Sequence, residues 1–381
     1  MCLENYSELK ERKLSGRYIT PDMIKPLENE FDLFTIKKIG ESVKGNEIIS
    51  YAIGTGKTRL LFWSQMHGNE STSTKALFDF FHYLQSNTNE VKEFLNQFKL
   101  LFIPILNPDG AFAYTRLNAN NVDLNRDAQH LNQPESRVLR QLFDEFQPHY
   151  CFNLHGQRTI FSAGNKPKSS ILSFLTPSQN PEKEVTDSRK VSMSIIADIS
   201  MMLQTKIPGS VGRYDDGFNI NCVGDTFQSL NVPTVLFEAG HYPDDYERET
   251  TRELFFYSLL EAVRSVFRRA GEDLGYEAYF DIPENNKLFC DILFKNVGLK
   301  EGINNLTVQY EERLIDETIQ FIPKLTGIGS NKIIFGHKEF DCENKQFFPE
   351  LSSNIELQNV LQYLNFDNKN VMKGLKNARK I

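Results

Sequence analysis

The chain of 381 residues is long enough for one large domain and a smaller one. Hydrophobic residues at 40% and charged residues at 24% are ordinary for a globular protein and exclude a largely disordered chain. A formal net charge of −7 leaves no basic footprint for nucleic acid, and no apolar run approaches the roughly 20 residues that span a bilayer, so neither nucleic acid nor membrane is expected as a partner. The opening "MCLENYSELKERKLSGRY" is polar where a signal peptide needs an apolar core of about 7 to 15 residues, which predicts a cytoplasmic protein. Cys2, Cys151, Cys222, Cys290 and Cys342 are widely scattered and fit neither a disulfide framework nor a paired zinc site; reduced, mostly buried thiols are expected.

A polar, helical N-terminal segment over residues 1–30 leads into "FDLFTIKKIGESVKGNEIISYAIGTGKTRLLFWSQMHGNE". Its three apolar runs, separated by glycine-containing turns, read as successive strands. In the next stretch Ala76, Leu77, Phe80, Phe81 and Leu84 recur at helical spacing behind a Ser/Thr cluster that offers N-caps. His67 therefore belongs to a strand end and Glu70 to a helix entry. "FKLLFIPILNPDG" reads as a buried strand closed by a turn, "SRVLRQLFDEF" as an amphipathic helix, "HYCFNLHGQ" and "VPTVLFEAG" as strands, and "DYERETTRELFFYSLLEAVRSVFRRA" as a helix. Alternating strands and helices predict an α/β fold with a mixed, mostly parallel central sheet flanked by helices over residues 31–275. From 276 to 381 short strand-like runs without matching helices, among them "NNLTVQYEE" and "NKIIFGHKEF", predict a smaller β-rich C-terminal domain.

In a parallel sheet the functional residues gather at the C-terminal ends of the strands. Three such ends carry chemistry here: His67 with Glu70, then His155 in "FNLHGQ", then Glu238 in "LFEAG". Two imidazoles and a carboxylate form a catalytic zinc set that leaves one position open. H-E-x-x-H does not occur, which excludes the helix-borne zinc protease pattern. Taken singly, each residue has a plainer reading: a histidine capping a strand, or Arg116, Asp123 and Arg126 as loop charges.

The order H-G-N-E, N-P-D-G, R-x-N-x-x-x-V-D-L-N-R, N-L-H and F-E-A-G, with the lead-in "IGESVKGNEI", spans about residues 35 to 265. It resembles the zinc carboxypeptidases of the carboxypeptidase A superfamily. The resemblance implies one Zn2+ per chain held by His67, Glu70 and His155, with Glu238 as general base. It implies Asn125 and Arg126 as the pair that grips the substrate's terminal carboxylate, Arg116 as the arginine facing the oxyanion, and Asp123 as the carboxylate that orients the first zinc histidine. Tyr214 is the candidate for the tyrosine that the family carries on a mobile loop before the base. His241 is a candidate for a substrate contact or a second contact near the base; His82 is expected to pack, and His130, His149 and His337 have no ligand-like setting.

The short loop from Arg116 to Arg126 is also similar to bacterial peptidases of cell-wall peptides and to the N-acyl amino acid deacylases of the succinylglutamate desuccinylase and aspartoacylase group, which carry a small β-rich C-terminal domain. The expected activity is removal of a C-terminal residue from peptides, cell-wall-derived or γ-glutamyl ones included. Deacylation of acyl amino acids is the alternative, and a non-catalytic binding module on the same fold a third. A peptide or an acyl amino acid is the expected partner, with oligomeric state open.

Overall fold

In the computed structural model, residues 6–268, 275–299, 302–329 and 333–344 are described, so Cys2 and the expected β-rich stretch 345–381 lie outside the described residues. The first three apolar runs form β1 (Thr35–Glu41), β2 (Glu47–Ile53) and β3 (Thr58–Ser64); "FKLLFI" forms β4 (Phe98–Ile103) and "YCFNLHG" forms β5 (Tyr150–Gly156). Three short strands follow, β6 (Phe161–Ala163), β7 (Leu172–Leu175) and β8 (Val211–Arg213), and then β9 (Thr234–Ala239). Seven of these join β1 in an 8-stranded sheet of order β1-β2-β4-β3-β5-β9-β7-β8, omitting β6. The run β4-β3-β5-β9 is parallel, as is β7-β8, while β1-β2, β2-β4 and β7-β9 are antiparallel.

The central strands are continuous apolar runs because helices cover both faces, and their side chains alternate between two cores. In β3, Leu60 and Phe62 enter the larger core and Leu61 and Trp63 the smaller; in β4, Leu100 and Phe102 go one way and Leu101 and Ile103 the other. The helices Thr72–Gln85, Asp187–Gln204 and Glu249–Arg268 cover the larger core, while Pro134–Phe146 and Val223–Ser229 cover the smaller. Phe62 is stacked between Phe102 and Phe152, with ring centroids 4.7 and 4.4 Å away, so truncating it to alanine would cost about 3–5 kcal/mol. Among the described residues no helix is long and apolar enough to cross a membrane.

Two local readings shift. "NPDG" is the start of the helix Pro108–Ala113 rather than a simple turn, because Asn107 caps it, its Oδ1 accepting from Gly110 N at 2.8 Å. The last helix starts at Glu249 rather than at "DYER", because the Asp245 carboxylate accepts from Glu249 N at 2.8 Å and Thr251 N at 2.9 Å. The N-terminal segment contains only short helical turns and docks through a buried ion pair: Arg252 donates from Nε to Asp79 Oδ2 at 2.7 Å and to the carbonyls of Glu11 and Leu14, while Asp79 accepts from Tyr6.

After residue 275 the chain first returns to this body, β10 (Asn285–Lys287) pairing antiparallel with β6. It then forms a separate 4-stranded sheet from β11 (Phe289–Leu299), β12 (Gly302–Ile315), β13 (Thr318–Ile328) and β14 (Phe335–Asp341), in the order β13-β12-β11-β14. Side-chain ties that hold this sheet against the rest include Tyr246 OH to Asp291 at 2.9 Å, His337 Nε2 to Thr159 O at 2.7 Å, and Arg17 Nη2 to Glu312 at 3.0 Å.

Candidate active site

β3 ends at Ser64, and the chain leaves the sheet through Gln65, whose φ of 46° places a buried non-glycine residue in the left-handed region. Gln65 holds that turn by donating from Nε2 to Gly68 O at 2.8 Å and to Ile19 O at 2.9 Å. Gly68 is obligatory for a different reason: a Cβ there would lie 1.9 Å from the backbone of Gly110. The H-G-N-E and N-P-D-G motifs are thus packed backbone to backbone. The "IGESVKGNEI" turn joins them, since Asp109 accepts from Ser42 Oγ at 2.7 Å, Asn46 Nδ2 at 2.7 Å and Lys44 N at 3.0 Å.

The second pair of strand ends is set by the sheet itself. In the β5–β9 ladder His155 faces Glu238 and Gly156 faces Ala239. Arg248, itself buried at a φ of 57°, pins the same ends together: its guanidinium donates to Ala239 O and, at 2.6 Å, to Gln157 O. Gly240 closes the motif, because a Cβ there would stand 2.1 Å from Ser170 O.

His67, Glu70 and His155 converge, with one ligand atom from each lying within 4.8 Å of the others. The two Nδ1 atoms are 3.2 Å apart, Glu70 Oε1 is 2.9 Å from His67 Nδ1, and Glu70 Oε2 is 2.9 Å from His155 Nδ1. Asp123 Oδ1 lies 3.1 Å from His67 Nε2, which places the proton of that ring on Nε2 and turns a bare Nδ1 toward the cluster. Two ring nitrogens 3.2 Å apart across one carboxylate are crowded if both carry protons, whereas one cation between them satisfies all three groups. The electrostatics agree: although burial works against it, Glu70 and Asp123 push His67 up to about 9, so this pocket favours positive charge. Donors of N, N and O type at one point fit Zn2+ and leave a coordination position free.

Glu238 is partly buried beside this group, and one of its carboxylate oxygens has no partner among the described residues. Burial, reinforced by the charge of Glu70, raises its pKa well above the usual carboxylate range. Arg116 lies across from it, paired with Asp123 through Nη2 at 3.0 Å and with Nη1 3.4 Å from Glu70. Asp123 stays charged, because His67 and Arg116 outweigh the burial that would otherwise raise it. Asn125 is buried, its Oδ1 accepting from Val223 N at 3.0 Å at the start of the helix Val223–Ser229, and Arg126 beside it is exposed toward the cleft. Tyr214 follows β8 and is anchored rather than free: its OH donates to Gln157 Oε1 at 2.7 Å and its ring meets Phe161 edge-on.

These residues line one cleft of about 960 Å3 that also includes residues no local motif announced. Gln157, Arg158 and Phe161 come from the segment after His155, Lys287 from β10, Arg17 from the N-terminal segment, and Tyr310, Glu312 and Lys324 from the C-terminal sheet. For Arg158 the signal was its place three residues after a presumed ligand; for Glu312 and Arg17 there was none. His241 takes the structural one of its two readings. It is 1% exposed, away from the metal cluster, and packs against Tyr246 and His337 with both ring nitrogens unpartnered among the described residues. His82 packs on Phe31 and meets Glu11 at 2.9 Å, and His337 stacks on Phe289. Of the described cysteines, Cys151 and Cys290 are buried free thiols, Cys342 is buried, and Cys222 is only partly buried, at the cleft.

The profile of the zinc carboxypeptidase family matches residues 22–221, a span that holds all three metal-binding residues. The chain belongs to the zinc carboxypeptidase family. Family membership and the ligand set together imply a single Zn2+. Carboxypeptidase 2 of Trichophyton rubrum is 32% identical over 118 residues, which cover 30% of this chain and 21% of that protein. Human carboxypeptidase D is 24% identical over 214 residues, 48% of this chain and 15% of its own length. The chain therefore spans about a fifth or less of the length of these curated relatives. Carboxypeptidase A from Helicoverpa armigera shares the fold, with a TM-score of 0.53 at 16% identity over 67% of this chain and 75% of that one. A metallo-carboxypeptidase from Burkholderia cenocepacia is similar in fold too, at a TM-score of 0.52 and 14% identity over 65% and 70% of the two chains.

Proposed function

We propose that this zinc carboxypeptidase family member hydrolyses the last peptide bond of a peptide and releases its C-terminal residue. The observation that carries the reading is the convergence of His67, Glu70 and His155 with Glu238 in register on the neighbouring strand. His67, Glu70 and His155 would hold Zn2+, which would supply Lewis acidity toward the scissile carbonyl and the attacking water. Glu238 takes a proton from the attacking water and delivers it to the leaving amine, a task suited to a carboxylate whose burial keeps its proton affinity high. Arg116 reaches the position where negative charge develops on the former carbonyl oxygen, and its guanidinium stabilises that charge as it forms. Arg126 is exposed to the cleft and spends one donor only on the Asn125 carbonyl, so its planar fork is available for the substrate's terminal carboxylate, with Asn125 beside it. Tyr214, held by Gln157 within the cleft, supplies a hydroxyl to the bound peptide. Asp123 keeps His67 in the tautomer that presents Nδ1.

A second reading, hydrolysis of N-acyl amino acids, draws support from the C-terminal sheet that walls the cleft and narrows what it can admit. The test is a substrate panel on zinc-reconstituted protein. Free amino acid released from peptides and not from acyl amino acids supports the peptidase; release of acetate or succinate from acyl amino acids alone would replace it with the deacylase.

A further inference from the structure

The charges lining the cleft are not all committed. Glu312 accepts from Arg17 at 3.0 Å and from Tyr114 OH at 2.5 Å, and Glu311 pairs with Arg313 at 2.9 Å and with Lys324. Asp225 accepts from Ser178 N at 3.1 Å. Arg158 and Lys287, by contrast, are exposed to the cleft and have no acidic partner among the described residues. One strand pairing brings both segments to the cleft: β6 pairs with β10 so that Lys287 faces Phe161, which follows Arg158 by three residues in the chain. This ribbon is held under the C-terminal sheet by Thr159, which bonds to Gln309 and His337. The two side chains therefore project from a supported wall, in a chain whose overall charge of −7 would by itself repel anions.

The direction of the substrate follows from the reading above, on which this inference rests. Arg126 stands beside the helix Val223–Ser229, on the face of the smaller core. A peptide held there by its terminal carboxylate, with its scissile bond at the metal cluster, must run its acyl part away from that wall. The β6–β10 ribbon, whose Phe161 follows His155 by six residues, lines the same cleft through Phe161 and Lys287.

We propose that Arg158 and Lys287 form an acyl-side subsite for a second carboxylate, so that the preferred substrates are peptides with an aspartate or glutamate within the two residues preceding the scissile bond. Neither residue is needed for the hydrolytic step. Each offers an exposed cation, and an exposed ion pair contributes a few-fold in affinity, so the two together give about tenfold. Screening by salt reduces the preference, because the wall is open to solvent.

The experiment measures binding apart from turnover. Affinities of Ac-Ala-Glu-X and Ac-Glu-Ala-X against Ac-Ala-Gln-X and Ac-Gln-Ala-X, with X as Leu, Lys or Asp, are measured by calorimetry on zinc-loaded Glu238→Gln protein, and hydrolysis of the same peptides on the wild type. An approximately tenfold tighter Kd for the glutamate peptides, lost in Arg158→Gln/Lys287→Gln and reversed toward Ac-Ala-Lys-X in Arg158→Glu/Lys287→Glu, supports the subsite. Equal affinities in the parent protein overturn it, and so does a glutamate preference that survives the double glutamine variant. Selective binding without hydrolysis of any peptide by the wild type would leave the subsite standing and remove the peptidase reading.

Discussion

On one side of the cleft, His155 and Glu238 are ladder partners on adjacent strands, and Gly68 lies against Gly110 with no room for a methyl group. On the other, Glu312 and Gln309 arrive from a sheet whose strands pair only with each other and whose described ties to the body are mostly side chains, with a backbone bond from Phe289 N to Ile160 O at 3.1 Å. The first region tolerates no displacement, since backbone contacts and ladder register set the spacing of its reactive atoms. The second can exchange side chains without moving the metal ligands. Chemistry and selectivity are therefore separable here, and substitutions should divide along that line.

Removing the metal tests the stiff side most strongly. Chelation, or His67→Ala or His155→Ala, is expected to abolish peptide hydrolysis together with bound zinc, as elemental analysis and a peptide assay would register. Glu238→Gln should retain about one zinc per chain while kcat falls by about 10² to 10⁴-fold, the usual contribution of a positioned base; loss of the metal as well would mean that the base and ligand roles are not distinct. Gly68→Ala forces its new methyl into the Gly110 backbone, and a loss of about 3 kcal/mol in urea unfolding is expected, with weakened zinc affinity.

The opposite wall should respond differently. Glu312→Gln leaves buried Arg17 without its charged partner and should cost about 2 kcal/mol, with zinc content unchanged and any kinetic effect concentrated in KM. The smallest effect concerns Asp225, which burial raises from 3.8 to about 7. Its folded-state pKa lies above the unfolded one, so its contribution to stability is complete below about 3.8 and is lost as pH rises through about 7. Asp225→Asn should therefore flatten the fall in melting temperature across that window; an unaltered pH profile would show that this carboxyl is already ionised in the native protein.

Much of the fold was legible because its signals are local. Leu60 to Trp63 and Leu100 to Ile103 read as buried strands since both faces are covered, and Ala76 to Leu84 show the helical period directly. Other elements hide for identifiable reasons. The helix Asp187–Gln204 buries Ser188, Ser192, Ser194 and Ser200, which mute its apolar stripe, and β13 contains Pro323, tolerated because it is an edge strand. His241, whose place after "FEAG" left a contact near the base open beside a structural reading, packs beneath the C-terminal sheet.

By itself, the order of residues determined the metal-binding group and the α/β core and singled out Glu238 as the candidate base, because strand ends, glycine turns and apolar periodicity are short-range properties of a chain. The composition of the cleft was settled at long range. Arg17 meets Glu312 across 295 positions and Lys287 comes to lie beside Phe161 only through the pairing of β6 with β10. Such contacts depend on how whole elements pack, and no window along the chain contains both partners.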